Sequence, residues 1–245
     1  MMNRLHPRIA SLLHVLGIEQ SSVSHTERLL SALGGFLGIA GIVLAGQVLG
    51  LQAGGQLLIV ASMGASAVLL FAVPHGALSQ PWPVAGGHLL SAMVGVTCQQ
   101  AFGAWPALAA ALAVGLAIGL MHYLRCLHPP GGATALTAVL GGPAIHALGY
   151  GYALWPIGLN VAVILLVAVL FNAPLRWRRY PVAWARSETR PPDHYLALQH
   201  DDLAAALRQI DSFIDVDEDD LRLIFSVAER HARERRAKAR RRAVG

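Results

Sequence analysis

Formal charge is almost missing from the middle of this chain. Between Leu29 and Phe171 the one charged side chain is Arg125, and every other Arg, Lys, Asp and Glu falls in residues 1–28 or 172–245. A neutral, apolar block of that length excludes an ordinary water-soluble domain and suits lipid. Internal carboxylates are absent too, which excludes an Asp/Glu proton relay and leaves histidine or no proton coupling. Cysteine is scarce. Cys98 and Cys126 have no CxxC spacing and sit in apolar surroundings, so they read as small buried thiols, not as metal or redox groups. No HxxxH or HExxH spacing occurs, and His122 and His128 are six apart, so we expect neither an enzyme nor a bound cofactor or metal. Nothing in the sequence resembles a removable signal peptide, and none is expected.

What is present is hydrophobic: 55% of residues are apolar, 13% are charged, and the mean hydropathy is +0.50. These values define an integral membrane protein. A pI near 9.8 does not point to nucleic acid, because the basic residues flank membrane ends where anionic headgroups attract them. Residues 1–28 carry an apolar stripe at Ile9, Leu12, Leu13 and Leu16, too short to span, and read as an interfacial helix. Residues 29–172 form the membrane block, and 173–245 a basic linker with a helical tail.

The expected fold is all-α and polytopic, with six membrane elements. Four runs are long enough to span: Leu29–Gly50, Val84–Phe102, Trp105–Leu124 and Tyr152–Phe171. Two are short and interrupted by glycine or proline: Gln56–Val73 and Gly131–Leu148. Gly64-Ala65-Ser66-Ala67 overlays Gly132-Ala133-Thr134-Ala135, and "PVAGGHLLSAMVGV" from Pro83 overlays "PIGLNVAVILLVAV" from Pro156, setting His88 beside Asn160. Two halves of three elements, repeated at an offset of about 70 residues, must enter the membrane from opposite sides. Six crossings put Arg4, Arg8, Arg28, Arg125, Arg176, Arg178 and Arg179 on the cytoplasmic face of a bacterial-type inner membrane, with both termini; five would separate the basic ends. Trp105, Tyr150, Tyr152 and Trp155 fall near segment ends, where amphipathic rings sit at the interface.

The richest stretch is "LRCLHPPGGATALTAVLGG", Leu124 to Gly142. Pro129 and Pro130 lack amide protons, so they suit the start of a new helix. Its first turn offers the amides of Gly131, Gly132 and Ala133 and the positive end of the helix dipole. Lipid supplies no acceptor for free donors, and a small anion would. Thr134 adds a hydroxyl and His128 a hydrogen bond or proton, while Ser62, Gly64 and Ser66 face them from the first half; His88 and Asn160 complete the candidate set. The same small residues would also serve close helix packing. Arg125 reads as a topology anchor, and His75, His122 and His146 as satisfied by backbone or interfacial water.

The run "HPPGGATAL" from His128 resembles the signature of the HPP family of integral membrane proteins, and "ALSQPWPVAGGH" from Ala77 resembles its second recurrent stretch. The resemblance covers about Leu29 to Asn172. It implies a small polytopic transmembrane unit with a transport role, plant plastid relatives being associated with nitrite. Some bacterial relatives carry a nucleotide-sensing CBS pair after the membrane block; the stretch that follows here is expected to be too short for one.

Beyond Asn172 an arginine- and proline-rich linker should lie along the inner leaflet. Asp201–Ile214 and Asp217 to about Lys238 read as two amphipathic helices with acidic first turns, forming a hairpin that pairs with itself, a second subunit or the membrane block. "DVDEDD" is not an EF-hand, since Asp220 and Ser226 stand where Gly and Glu are needed. The sequence thus predicts a carrier of a small anion such as nitrite, with anionic lipid and a second copy as further partners and no nucleic acid. The rival reading is a membrane sensor or scaffold that works through its C-terminal helices.

Overall fold

A computed structural model describes residues 23–50, 52–53, 56–57 and 61–184. The expected N-terminal interfacial helix and the C-terminal hairpin lie outside the described residues. Those described are helical apart from connections and one two-residue antiparallel ladder, Gln52–Ala53 with Gln56–Leu57.

Helix α1 spans His25–Val48, with Ser24 capping its first turn by accepting from the Glu27 amide at 3.1 Å. The short α2 spans Ser62–Ala72. Then come α3, Pro81–Phe102, and α4, Pro106–Tyr123, each opened by a proline whose missing amide proton costs nothing there. Helix α5 covers Pro129–Leu140, with His128 at its N-cap, and stops at Gly141. The four-residue α6, Pro143–His146, follows. A π-helical turn at Ala153–Gly158, non-helical at Trp155, leads into α7, Leu159–Asn172. Among the described residues three helices are long and apolar enough to cross a membrane: His25–Val48, Pro106–Tyr123 and Ala153–Asn172. Helix α3 has 22 residues, so it reaches about 33 Å.

The pieces that read as one element, Gly131 to Leu148, divide in two because Gly142 turns the chain at φ 79° and Pro143 starts a new helix. The first short segment is also briefer than its apolar run: Gln56 and Leu57 belong to the ladder, and the helix waits until Ser62.

Helix α1 packs on α2 and α7, while α3 packs on α4 and α5; α7 also touches α2, and α5 touches α2. Small residues make these contacts close. A Cβ on Gly95 of α3 would stand 2.6 Å from the Ala135 carbonyl of α5, and Gly34 and Gly38 of α1 leave the groove that the Phe71 ring of α2 occupies. Among apolar helices such fits, and not expulsion of water, hold elements together.

Several element ends are tied at one level. Arg178, just past α7, donates to Glu27 at the start of α1 and to the Phe71 carbonyl at the end of α2. Tyr180 donates to the Ser79 carbonyl at 2.8 Å, the Val182 amide to Gln80 at 3.0 Å, and Trp82 to the Leu124 carbonyl at 3.1 Å. The starts of α1 and α3 and the ends of α2, α4 and α7 therefore share one end of the bundle. At the other, Thr97 of α3 bonds Tyr150, 3.0 Å away, before the π-helical turn.

Candidate functional site

Five of the buried polar side chains converge where α2, α3 and α5 meet. Ser62 and Ser66 come from α2, His88 from α3, and His128 and Thr134 from the cap and body of α5; all are buried, four of them with no exposure at all. Ser62 and Ser66 lie on one face of α2 by their four-residue spacing. His88 is carried inward by seven residues of helix after Pro81, and His128 is held by the chain reversal that Arg125 makes at φ 53°.

The contacts form a single chain. Ser62 Oγ lies 2.8 Å from Thr134 Oγ1, which lies 2.7 Å from His88 Nδ1. His88 Nε2 lies 2.8 Å from Ser66 Oγ, and Ser66 Oγ lies 2.9 Å from His128 Nε2. His128 Nδ1 then meets the Leu78 carbonyl oxygen at 2.8 Å. The two rings stand edge to face, their centroids 4.9 Å apart.

That last contact orders all the others. A carbonyl oxygen can only accept, so His128 Nδ1 carries a proton and donates it. With both imidazoles neutral, His128 Nε2 is bare and takes the hydroxyl proton of Ser66. Ser66 Oγ must in turn accept from His88 Nε2–H. His88 Nδ1 is then the bare nitrogen and accepts from Thr134, which accepts from Ser62. Every donor thus has one acceptor, and the proton positions follow from the network. No buried side-chain nitrogen or oxygen among the described residues lacks a partner.

The glycines of the signature have separate surroundings. The Gly131 amide donates to the His128 carbonyl at 2.8 Å, and a Cβ on Gly131 would come within 2.8 Å of Ser91 Oγ and 2.9 Å of the Gly87 carbonyl. That glycine therefore lets α5 press against α3. Gly87 does the same from the opposite side, its Cβ position being 2.6 Å from His128 Cβ. Gly132 turns towards Val114 of α4, Ala133 is exposed, and Gly64 is exposed with open space beside it. Pro130 is buried, Pro129 exposed, and Asn160 buried in α7. Arg125 is exposed in the turn between α4 and α5.

Sequence reasoning assembled the side chains of this cluster without the Leu78 carbonyl or Tyr152. Tyr152 is fully buried and donates to the Thr134 carbonyl at 3.3 Å. Leu78 had a signal: it lies in "ALSQPWPVAGGH", whose Leu78, Gly87 and His88 all touch the segment that begins at His128. His75 and His146 meet the backbone carbonyls of Arg179 and Val139 at 3.1 and 2.8 Å.

An all-helical bundle with membrane-length apolar helices and a buried polar chain at its centre defines an integral membrane protein. The chain belongs to the HPP transmembrane-region family, which matches residues 20–181. Two transmembrane proteins of Dictyostelium discoideum are similar to it, each 41% identical. One aligns over 126 residues, 50% of this chain and 40% of the relative; the other over 155 residues, 62% and 54%. The chain spans about half the length of these curated relatives. No solved structure matches.

Proposed function

We propose that this protein carries a small anion, nitrite or a related oxyanion, across the membrane, and that the solute is held where α2 and α5 meet. The observation that carries this reading is the 2.8 Å contact between Ser62 and Thr134, which joins two helices of 11 and 12 residues. Such helices reach only about 16–18 Å, well short of a hydrocarbon core of about 30 Å. Paired short segments in corresponding positions are where carriers place their solute. Polar groups are costly at that depth, so a cluster of imidazoles and hydroxyls is retained for use.

The wider scheme we propose is the six-element inverted repeat. Exchanging α1 with α4, α2 with α5 and α3 with α7 maps the packing onto itself: α1–α2 becomes α4–α5, α1–α7 becomes α4–α3, α2–α7 becomes α5–α3, and α2–α5 is unchanged. Rocking of one half against the other about the α2–α5 contact would then alternate access. In this scheme the exposed Arg28, Arg125, Arg176 and Arg179 face the cytoplasm and its anionic headgroups.

Uptake of nitrite, nitrate, formate and chloride into proteoliposomes, with protein-free vesicles as the baseline, tests the function. Saturable uptake of one or more is expected, and His128→Ala should lower it by roughly tenfold or more, the equivalent of one strong hydrogen bond. Equal flux in wild type and in a His128→Ala, Ser66→Ala double variant would remove this site.

A further inference from the structure

In its neutral form the buried chain has nothing left to offer an anion. Each proton on Ser62, Thr134, His88, Ser66 and His128 is already given to a neighbour, ending at the Leu78 carbonyl. An arriving anion would meet only lone pairs unless some donor were released. Yet two of the hydroxyls have a second acceptor within reach. Ser66 Oγ lies 3.3 Å from the Ser62 carbonyl oxygen, and Thr134 Oγ1 lies 3.4 Å from the Pro130 carbonyl oxygen, each four residues back on its own helix.

We infer that this chain is a store for one proton, and that the stored proton is what admits the anion, so that solute and proton move together. The inference rests on the proposed transport site. The bookkeeping of hydrogens closes in either of two ways. If His128 Nε2 takes the proton, it donates to Ser66 Oγ, and the Ser66 hydroxyl swings to the Ser62 carbonyl. If His88 Nδ1 takes it, that nitrogen donates to Thr134 Oγ1 beside Ser62, and the Thr134 hydroxyl swings to the Pro130 carbonyl, so the solute need only compete with one lone pair of Thr134 for the proton of Ser62. His128 keeps its bond to the Leu78 carbonyl and His88 its bond to Ser66 in both cases, and no heavy atom has to travel.

One proton is also the limit. The rings are 4.9 Å apart and both buried, so a second imidazolium would face the first at close range. The surrounding elements supply no counter-charge. Helix α2 contributes only Ser62 and Ser66; α3 adds Ser91, which donates to the Met121 sulfur of α4 at 3.8 Å; Tyr152 donates to a backbone carbonyl; and the Cys126 thiol packs against Gly86. The charged residues described, Glu27, Arg28, Arg125, Arg176, Arg178 and Arg179, lie in the first turn of α1 or outside the α-helices. A small anion is therefore the natural partner for the added charge, and the loaded site is neutral overall.

Two measurements on the full chain test this. The first is ¹⁵N-histidine NMR in lipid nanodiscs, with the two rings assigned from His88→Gln and His128→Gln. The expected result at neutral pH is opposite tautomers, Nδ1–H in His128 and Nε2–H in His88, with one imidazolium for the pair on acidification in the presence of nitrite. The same tautomer in both rings, or two imidazoliums, would overturn the inference. The second needs no variant: nitrite uptake by wild-type proteoliposomes, above protein-free vesicles, under a valinomycin-clamped potential or an imposed pH gradient. Uptake driven by the pH gradient and indifferent to the potential supports the store. Uptake that follows the potential with no proton movement overturns it while leaving the transport reading intact. No uptake at all removes the transport reading, and with it the pairing of proton and solute.

Discussion

Arg178 reaches 151 positions back along the chain to bind the carboxylate of Glu27, and both side chains are buried. The guanidinium also donates to Asn172 Oδ1 at 3.1 Å and to the Phe71 carbonyl, while Trp177 donates to the other oxygen of Glu27 at 3.2 Å. Burial pulls the pKa of Arg178 down and the Glu27 carboxylate opposes that pull, so the pair stands on its hydrogen bonds as much as on its charges. It fastens the first helix, the end of the short α2 and the end of the last helix in one knot.

Removing one partner should leave a buried charge without compensation. We expect Glu27→Gln or Arg178→Ala to lower stability by about 3–5 kcal/mol, and Glu27→Gln with Arg178→Met to recover part of that loss. Thermal unfolding of the detergent-purified variants measures it, and single variants as stable as the parent would show that the knot contributes nothing.

Adjacent glycines of the signature should respond in opposite directions. Gly131→Ala drives a methyl group into Ser91 and the Gly87 carbonyl, while Gly132→Ala meets nothing nearer than Val114 at 3.9 Å. The first change should cost about 1–3 kcal/mol. The second should be neutral or stabilise by up to about 1 kcal/mol, as alanine does within a helix. Equal melting temperatures for the two would contradict the close approach of α3 and α5.

The shared level of Arg125 and Arg178, and the opposite level of the α3–α4 turn, predict membrane sidedness. In a background with Cys98 and Cys126 replaced by alanine, Arg125→Cys and Ala104→Cys should react with an impermeant maleimide from opposite faces of oriented vesicles. Labelling of both from one side would break the six-crossing scheme.

Much of the fold could be read from the residues because membrane helices declare themselves locally. Long apolar runs and a proline at a helix start are nearest-neighbour signals, and α5 begins at the Pro129–Pro130 pair that announces it. The scarcity of polar groups within the block likewise singles out Ser62, Ser66, His88, His128 and Thr134. What the sequence by itself determined, then, was the membrane class, the helical segments and the short list of polar side chains inside them.

Only the tertiary structure decided how those groups are used. Ser62 meets Thr134 across 72 positions and His128 meets Leu78 across 50, and no local pattern encodes a backbone carbonyl arriving from another element. The Gly131 amide is taken by the His128 carbonyl instead of standing open, because the first turn tightens against α3. Arg178, one of a cluster that reads as a row of headgroup anchors, is drawn inside by Glu27, a partner that charge counting along the chain could not choose. Composition sets which groups are expensive to bury, and long-range packing sets which of them find each other.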